Sequence, residues 1–487
     1  VTDHSKETIM TTSISSSAAP TTTAPRSSRR WLALSVLALA QFLVVLDASI
    51  VNIALPVLGN GLHMSTAALA WVITAYVLAF GGLLLLGGRL ADRYGHRRVF
   101  LIGVAGFIGA SALAGLSISS GMLLTARAVQ GASAALLAPA ALALLTHLFP
   151  DSAERTKALG VWGGVAGIGS AAGVLLGGVL TAALGWQSVF FVNVPIGLLV
   201  LVAIPFLVTP DSVDGARGKL DMPGAATITG ALVAAVGALS AAEQGGFGGP
   251  LTIGLAIAAV VLGVAFVVIE RRTAEPLVPL AVFTNRNLTV GNVVMLLVGA
   301  AMVALFFALS VYMQAVLGYD ALTTGLTQLP LAGALVVVAG LAPALIGRLG
   351  TKTTLVGSLV LLAGGLVWLS FAPADATFVG QLLGPSLLIG VGMGGAFVTT
   401  TQLSVDGVEG GESGLAGGLV NTSQQVGGAL GLAVLSTVAT IRTDALAHSG
   451  IATPEALTGG FSWLFLGAAG ISLAAAVVAS FSTSARR

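Results

Sequence analysis

Along this chain, stretches of roughly twenty residues pass with hardly a charge before a Gly, a Pro or a charged cluster interrupts them. Such runs suit a bilayer, because about 20 residues of helix cross its hydrocarbon core while satisfying every backbone polar group internally. Fourteen candidate helices follow, near 31–56, 69–88, 99–118, 122–147, 158–183, 187–208, 223–243, 250–269, 288–315, 325–347, 353–371, 376–403, 415–441 and 461–481. Composition agrees: of 487 residues, 56% are hydrophobic and 8% charged, with a mean hydropathy of +0.99, against about 25% charged for a soluble domain. A soluble globular protein is excluded, and the expected class is an all-α integral membrane protein. The chain has no Cys, which removes disulfides, thiolate metal sites and a cysteine nucleophile from consideration.

An even number of helices puts both termini on one side, and the basic residues say which. With the N-terminus inside, 19 of the 21 Lys and Arg fall in cytoplasmic segments, Arg442 alone falls in an outer loop, and Arg127 lies within a helix. Losing or adding a helix in the first half would scramble that partition. Residues 1–30 are Ser- and Thr-rich and read as a disordered cytoplasmic tail, with Met10 a candidate start. The apolar run after Arg30 continues past Ala40 to Pro56, longer than a cleaved signal needs.

The chain also repeats itself. The loop Gly88-Arg-Leu-Ala-Asp92-Arg93-Tyr-Gly95-His-Arg97-Arg98 after the second helix is echoed by Gly347-Arg348-Leu-Gly350-Thr-Lys352 after the tenth. Glycines at 160, 164, 169, 173 and 177 in the fifth helix are echoed at 410, 414, 418, 427 and 431 in the thirteenth. Both pairs are eight helices apart. The expected organisation is therefore two pseudo-symmetric six-helix halves, 31–208 and 288–487, joined by a linker, 209–287, that carries two extra membrane helices. Duplicated halves around a central site suit a transporter that rocks one half against the other.

Asp47 is the acid deep in an apolar helix, where a carboxylate costs at least about 2.5 kcal/mol and is functional by default. Arg127, the basic residue within a helix, lies at a depth from which it can reach Asp47, and Gln130 shares its helix face. The bland alternative is a static ion pair. Asp92, Arg93 and Arg97, with the turn-forming Gly88 and Gly95, are expected to form a cytoplasmic conformational latch. Gly169, Gly173, Gly177 and Gly178 permit close helix packing, either as a static contact or as a moving seam. Asn421, Gln424 and Gln425 give the thirteenth helix an uncharged polar face. Aromatics such as Trp71, Tyr76, Phe306, Phe307 and Tyr312 more often pack than line a pocket. Phosphate-loop, nucleophile-elbow and zinc-protease motifs are absent, so an ion gradient is the expected energy source, with no cofactor, metal or nucleic acid involved.

Leu46-Asp47-Ala-Ser-Ile-Val-Asn52-Ile-Ala-Leu-Pro56 resembles the first-helix motif of fourteen-helix drug:proton antiporters of the major facilitator superfamily. Gly88–Arg98 is similar to the superfamily's loop between helices 2 and 3, and Arg127-Ala-Val-Gln130-Gly131 to its helix-4 motif. Gly185-Trp186 through Phe190 to Asn193-Val-Pro195-Ile-Gly197 is similar to the junction of helices 5 and 6. Tyr312-Met-Gln314 to Gly318-Tyr319, and Asn421 to Gly431, extend the resemblance. It implies proton-driven export of drugs or antibiotics across a bacterial cytoplasmic membrane by a protein functional as a monomer. Asp47 and Arg127 are then expected to couple protons, and Gln130, Asn52, Gln314, Asn421, Gln424 and Gln425 to line a substrate cavity. The sequence departs from the pattern at His96, at Gly347 and at Val174, where the fifth-helix motif has proline. Without acids inside helices 10 and 13, the expected substrate is neutral or weakly charged and lipophilic. An exporter of an endogenous metabolite or lipid, or a membrane sensor, would be the alternatives.

Overall fold

The computed structural model describes residues 27–209, 221–274, 276–278, 280–405 and 413–483. Within them the chain folds into fourteen membrane-crossing helices that alternate in direction: α1 (Ser27–Leu62), α2 (Thr66–Tyr94), α3 (His96–Gly115), α4 (Ser120–Leu148), α5 (Ser152–Leu184), α6 (Ser188–Leu207), α7 (Met222–Gly245), α8 (Pro250–Arg272), α9 (Arg286–Val311), α10 (Ala321–Leu349), α11 (Thr351–Leu369), α12 (Leu383–Val405), α13 (Ser413–His448) and α14 (Thr453–Ser480). Two short π-helical turns, Tyr312–Val316 and Phe378–Leu382, extend α9 and precede α12. Side-chain caps mark several starts. Ser65 and Ser119 accept from the backbone N–H three residues on, both at 3.3 Å, and Asn285 and Asp320 cap α9 and α10.

The helices are longer than the apolar runs that announced them. Residues 27–30, expected to be tail, are the first turn of α1: Arg29 donates to the Phe206 carbonyl and Arg30 pairs with Glu154 at 3.3 Å, so tertiary contacts hold the helix start that composition disguised. Residues 1–26 lie outside the described part. At the other end of the molecule, Arg442 is not in a loop but within the extended α13, its guanidinium 5.6 Å from the Trp463 ring. The glycine row of the thirteenth helix is described from Gly414 onward, Gly410 falling outside the described residues.

Packing repeats with an offset of eight helices. α1 packs on α5 as α9 packs on α13, α2 on α4 as α10 on α12, α3 on α4 as α11 on α12, and α1 on α6 as α9 on α14. Between the two sets, α2 meets α13 and α5 meets α10, again equivalent pairs. The fold is thus two pseudo-symmetric six-helix bundles, with α7 and α8 as an added hairpin. That hairpin breaks the symmetry. α7 packs against both α2 and α13, donating from Thr229 to the Gly82 carbonyl at 3.2 Å and bonding Ser240 to the Trp71 indole at 3.0 Å. α8 lies outside α7 with most of its surface exposed. One inter-bundle seam is covered, and the other is not.

Along the uncovered seam, α5 and α10 touch at the end remote from the chain termini. A Cβ on Gly178 would lie 2.7 Å from the Ala321 carbonyl, and one on Gly325 would lie 2.7 Å from that of Val174. Nearby, Gln314 of the π turn donates to the Ile53 carbonyl at 2.9 Å, tying the second bundle to α1. Toward the end that carries Arg89, Arg155 and Arg348, hereafter the basic end, no neighbour comes within 4 Å of the Cβ positions of Gly160 and Gly164 on α5 or Gly333 and Gly340 on α10. Val161, Val337 and Leu341 are exposed there. The α5–α10 seam is thus closed at one end and open at the basic end, while α2 and α13 stay in contact at the basic end through Leu85, Leu86, Ala416 and Leu419.

Gly169, Gly173 and Gly177 face α1, where added Cβ atoms would meet Phe42 and Val45, Ser49 and Leu46, and Ile50 and Ile53. Their counterparts Gly427 and Gly431 lie equally tight against Leu296 and Ala300 of α9. Overpacking such a contact costs about 1–3 kcal/mol. Gly173→Val is expected to lower the melting temperature of the purified protein, whereas Gly160→Val, placed in open space, should leave it unchanged. Equal melting curves for the two variants would contradict the α1–α5 packing.

Candidate functional site

A polar network inside the first bundle, drawn from four helices, shares almost no surface with solvent. Asp47 (α1), Ser111 (α3), Gln130 (α4) and Asn193 (α6) are each 0% exposed, and Arg127 (α4) is 1% exposed. The Arg127 Nη1 donates to Asp47 Oδ2 and to Gln130 Oε1, both at 2.6 Å. Its Nε donates to the Val72 carbonyl of α2 at 3.1 Å. Gln130 Nε2 donates to Asp47 Oδ1 at 2.7 Å and to Ser111 Oγ at 2.7 Å, and Asn193 Nδ2 donates to the same Asp47 oxygen at 2.8 Å. The guanidinium carbon also lies 4.3 Å from the Tyr76 ring centroid and 5.9 Å from that of Phe190.

Each participant is placed by ordinary helix geometry. Arg127 and Gln130 are three residues apart and so share one face of α4. Gly131, on that helix, admits the Tyr76 carbonyl so closely that no Cβ would fit, which draws α2 onto α4 and sets the Tyr76 ring over the guanidinium. Three donors converge on the Asp47 carboxylate, the arrangement that an ionised acid demands. Aromatic faces add favourable electrostatics on the cation's remaining side. The result is a buried ion pair, with three donors on the carboxylate, that couples the positions of α1, α2, α3, α4 and α6.

Sequence reasoning singled out Asp47, Arg127 and Gln130, and the structure brings all three together. It moves Gln130 out of the expected cavity lining: both ends of its amide are committed to the ion pair and Ser111, and none of it reaches the inter-bundle space. Ser111 was not anticipated, because a serine among small residues of an apolar helix gives no signal by itself. Asn193 and Tyr76 were noted only within a motif and among the aromatics. A polar amide interrupting the apolar run Val189–Leu201 was the available clue to Asn193. Tyr76, Phe307 and Tyr312 are buried packing residues, each 1% exposed.

Of the other expected lining residues, Gln425 and Gln314 contact the opposite bundle, and the set does not form one cluster. Asn421, Gln424 and Gln425 are half-buried on α13, with Gln425 against Gly81 of α2. Asn52 is half-buried on α1 and donates to the Ala48 carbonyl at 2.8 Å, leaving its buried Oδ1 without a hydrogen bond. Gln314 serves as the closed-end tie to Ile53. The loop at the basic end is wired differently from expectation. Asp92 pairs with His96 at 3.1 Å, one helical turn on, while Arg97 donates to the Pro205 carbonyl of α6 at 3.3 Å and Arg93 lies over the Tyr94 ring at 5.6 Å. The reversal at Gly95 has φ +93°, which excludes most side chains, and points Arg97 across to α6 instead of back to Asp92. Gly88 sits beside Pro139 of α4 with room for a Cβ. Outside the membrane-crossing spans, Asp320 accepts from the Thr323 N–H at 2.7 Å, and its bonding to Thr323 holds the carboxyl below its ordinary range. Among the described residues, no group of three or more His, Asp or Glu could hold a metal ion.

Comparison with known proteins adds an independent line. The profile of the Major Facilitator Superfamily matches residues 37–432. The chain is 43% identical to the puromycin resistance protein of Streptomyces alboniger, over 93% of this chain and 91% of that protein. It is 41% identical to the cephamycin export protein of Amycolatopsis lactamdurans, over 90% of each, and 38% identical to the tetracenomycin C resistance and export protein of Streptomyces glaucescens, over 84% and 76%. Among solved structures, an auto-inhibited POT family peptide transporter superposes with a TM-score of 0.66 at 15% identity, covering 93% of this chain and 96% of that one.

Removing one partner of a buried ion pair leaves an uncompensated charge and costs about 3–5 kcal/mol, whereas removing both charges together costs far less. Arg127→Gln is accordingly expected to destabilise the purified protein strongly, and Asp47→Asn combined with Arg127→Gln to recover most of that loss. Additive thermal shifts in the double-mutant cycle would refute the direct coupling.

Proposed function

The chain belongs to the major facilitator superfamily, a family of transporters and not of enzymes, and on that premise we propose that it exports drugs or antibiotics across a bacterial cytoplasmic membrane in exchange for protons. The observation that carries the coupling half of this reading is the sealed Asp47–Arg127 pair, with three donors on one membrane-depth carboxylate. The efflux half rests on relatives named for antibiotic resistance and export that match nearly the whole chain. The excess of Arg and Lys at one end supports an orientation with both termini in the cytoplasm.

The cycle proceeds by rocking of 31–208 against 288–487, with 209–287 joining them. Lipophilic compounds enter from the cytoplasm along the α5–α10 seam, which is open at the basic end, toward the polar face of Asn421, Gln424 and Gln425. In this arrangement three donors, Arg127 among them, occupy the Asp47 oxygens and displace the coupling proton. When α1 and α4 separate as the closed end opens, the acid loses its donors and takes a proton from outside. Closing again expels that proton inward. Proton and substrate therefore move in opposite directions, and Asp92 with His96, together with Arg97 on α6, steadies the basic end between strokes.

Asp47→Asn keeps the size and most hydrogen bonds while removing the titration. In vesicles loaded with equal amounts of folded protein under an imposed pH gradient it should abolish uphill transport, beyond the stability lost by leaving Arg127 unpaired; transport at the unmodified rate would refute the assignment. Because the deep carboxylate of the described membrane interior, Asp47, is sealed inside the first bundle and already paired with Arg127, and an unpaired buried charge costs several kcal/mol, cells carrying the protein should resist neutral or monovalent lipophilic antibiotics. Protection restricted to dicationic biocides would contradict this specificity.

A further inference from the structure

The base of the added hairpin holds a pair of buried acids that the transport cycle above does not use. Asp221 precedes α7 and is 4% exposed, and Glu270, in the last turn of α8, is 3% exposed. Each carboxylate has one oxygen engaged: Asp221 Oδ1 accepts from the Gly224 N–H at 2.8 Å and Glu270 Oε2 from the Val278 N–H at 3.0 Å. The other two oxygens, Asp221 Oδ2 and Glu270 Oε1, are buried and have no hydrogen bond. They also face the same point. A Cβ placed on Gly224 would lie 2.5 Å from the first and 2.8 Å from the second, so the glycine leaves the gap into which both are aimed.

Among the described residues, apolar side chains and a single cation lie beside the pair. Leu86 of α2, Ala225 of α7, Leu277 and Val278 of the connection to α9, Leu288 of α9, and Ala416 and Leu419 of α13 form one apolar cluster around it. Among the described residues, the charged group that faces the pair is Arg89 of α2, which acts on Glu270 while its Nη2 donates to the Pro276 carbonyl at 2.8 Å. Arg271 and Arg272 of α8 and Arg286 of α9 are exposed, and the neighbouring stretch 416–420 of α13 carries no charge. Two ionised, unbonded oxygens facing each other would be doubly costly, by lost hydration and by repulsion. One hydrogen between them satisfies both in a single charge-assisted O–H···O⁻ bond.

We propose that Asp221 and Glu270 form a second proton-binding site, holding one shared proton that clasps the base of the α7–α8 hairpin over the seam between α2 and α13. The proton exchanges with the basic end of the molecule, so the clasp reads the pH there independently of Asp47. Loss of the proton leaves two facing carboxylates, and the Asp221 cap and the Val278 contact loosen together.

Hydrogen exchange of the full-length protein in nanodiscs, followed in peptides covering 221–226 and 270–280 and corrected for the intrinsic rate at each pH, reads the clasp locally. Protection of these peptides should fall as the pH rises, by on the order of tenfold or more, the worth of one charge-assisted hydrogen bond. Glu270→Gln replaces the shared proton with a permanent amide donor, so its protection should be independent of pH; Asp221→Asn, which keeps a good N-cap, should behave alike. The unmodified protein should also show a protonated-carboxyl infrared band that Glu270→Gln lacks. The same pH dependence in both variants as in the unmodified protein, absence of that band, or recovery of protection at alkaline pH on adding sodium alone, which marks a metal-cation site, would each overturn the proposal. Because the exchange signal is confined to the hairpin base, it is unaffected by failure of the Asp47 assignment.

Discussion

A guanidinium and a carboxylate buried together in the first bundle constrain almost everything around them. Neither can be left alone at that depth, since each unpaired charge would cost several kcal/mol. Arg127 must therefore meet Asp47, and the donors left over must find Val72, Gln130 and an aromatic face. Satisfying them fixes α1, α2, α4 and α6 relative to one another within hydrogen-bond tolerance. Among the described residues the second bundle has no such pair: α9, the counterpart of α1, offers instead Asn292 bonded to Ser423 of α13 and Ser310 bonded to Gln328 of α10. Two bundles of the same shape are thus held together by different chemistry, one charged and one neutral.

Glycine sets how closely helices approach within that scheme. Gly173 and Gly177 let α1 and α5 touch backbone to backbone, and Gly427 and Gly431 do the same for α9 and α13. Without a hydrophobic driving force between helices in lipid, such close van der Waals contact is a main source of association. Gly178, one position beyond Gly177, turns about 100° around α5 and meets α10 of the other bundle instead. A single helix therefore carries both an internal packing face and a contact between bundles.

The added hairpin converts a pseudo-symmetric body into an asymmetric one. By packing on α2 and α13 together, α7 bridges the bundles along one seam, while the α5–α10 seam remains uncovered and open at the basic end. A bridge of this kind must tolerate movement between the surfaces that it spans. Its attachment is accordingly light in the membrane, with the Thr229 and Ser240 hydrogen bonds, and most specific at its base, where Asp221 and Glu270 are sealed among side chains from both bundles.

The sequence by itself determined the class, the fourteen crossings and the repeat, because hydropathy, charge asymmetry and glycine spacing are local properties that a bilayer reads directly. Asp47 and Arg127 stood out for the same reason: a charge in an apolar run is conspicuous whatever its partner. What tertiary structure decided was who meets whom. Asn193 met the ion pair, and Ser111 the amides of Gln130 and Asn193 beside it, only because α3 and α6 pack beside α1 and α4, and Gln130 left the expected cavity because its amide was needed there. Arg97 reached α6 instead of Asp92 because the backbone at Gly95 turns it away. Asp221 and Glu270, unremarkable at helix ends in the sequence, became a buried pair through the closure of a hairpin. Hydrophobicity is written residue by residue, but the satisfaction of a buried polar group is a property of the neighbours that folding brings to it.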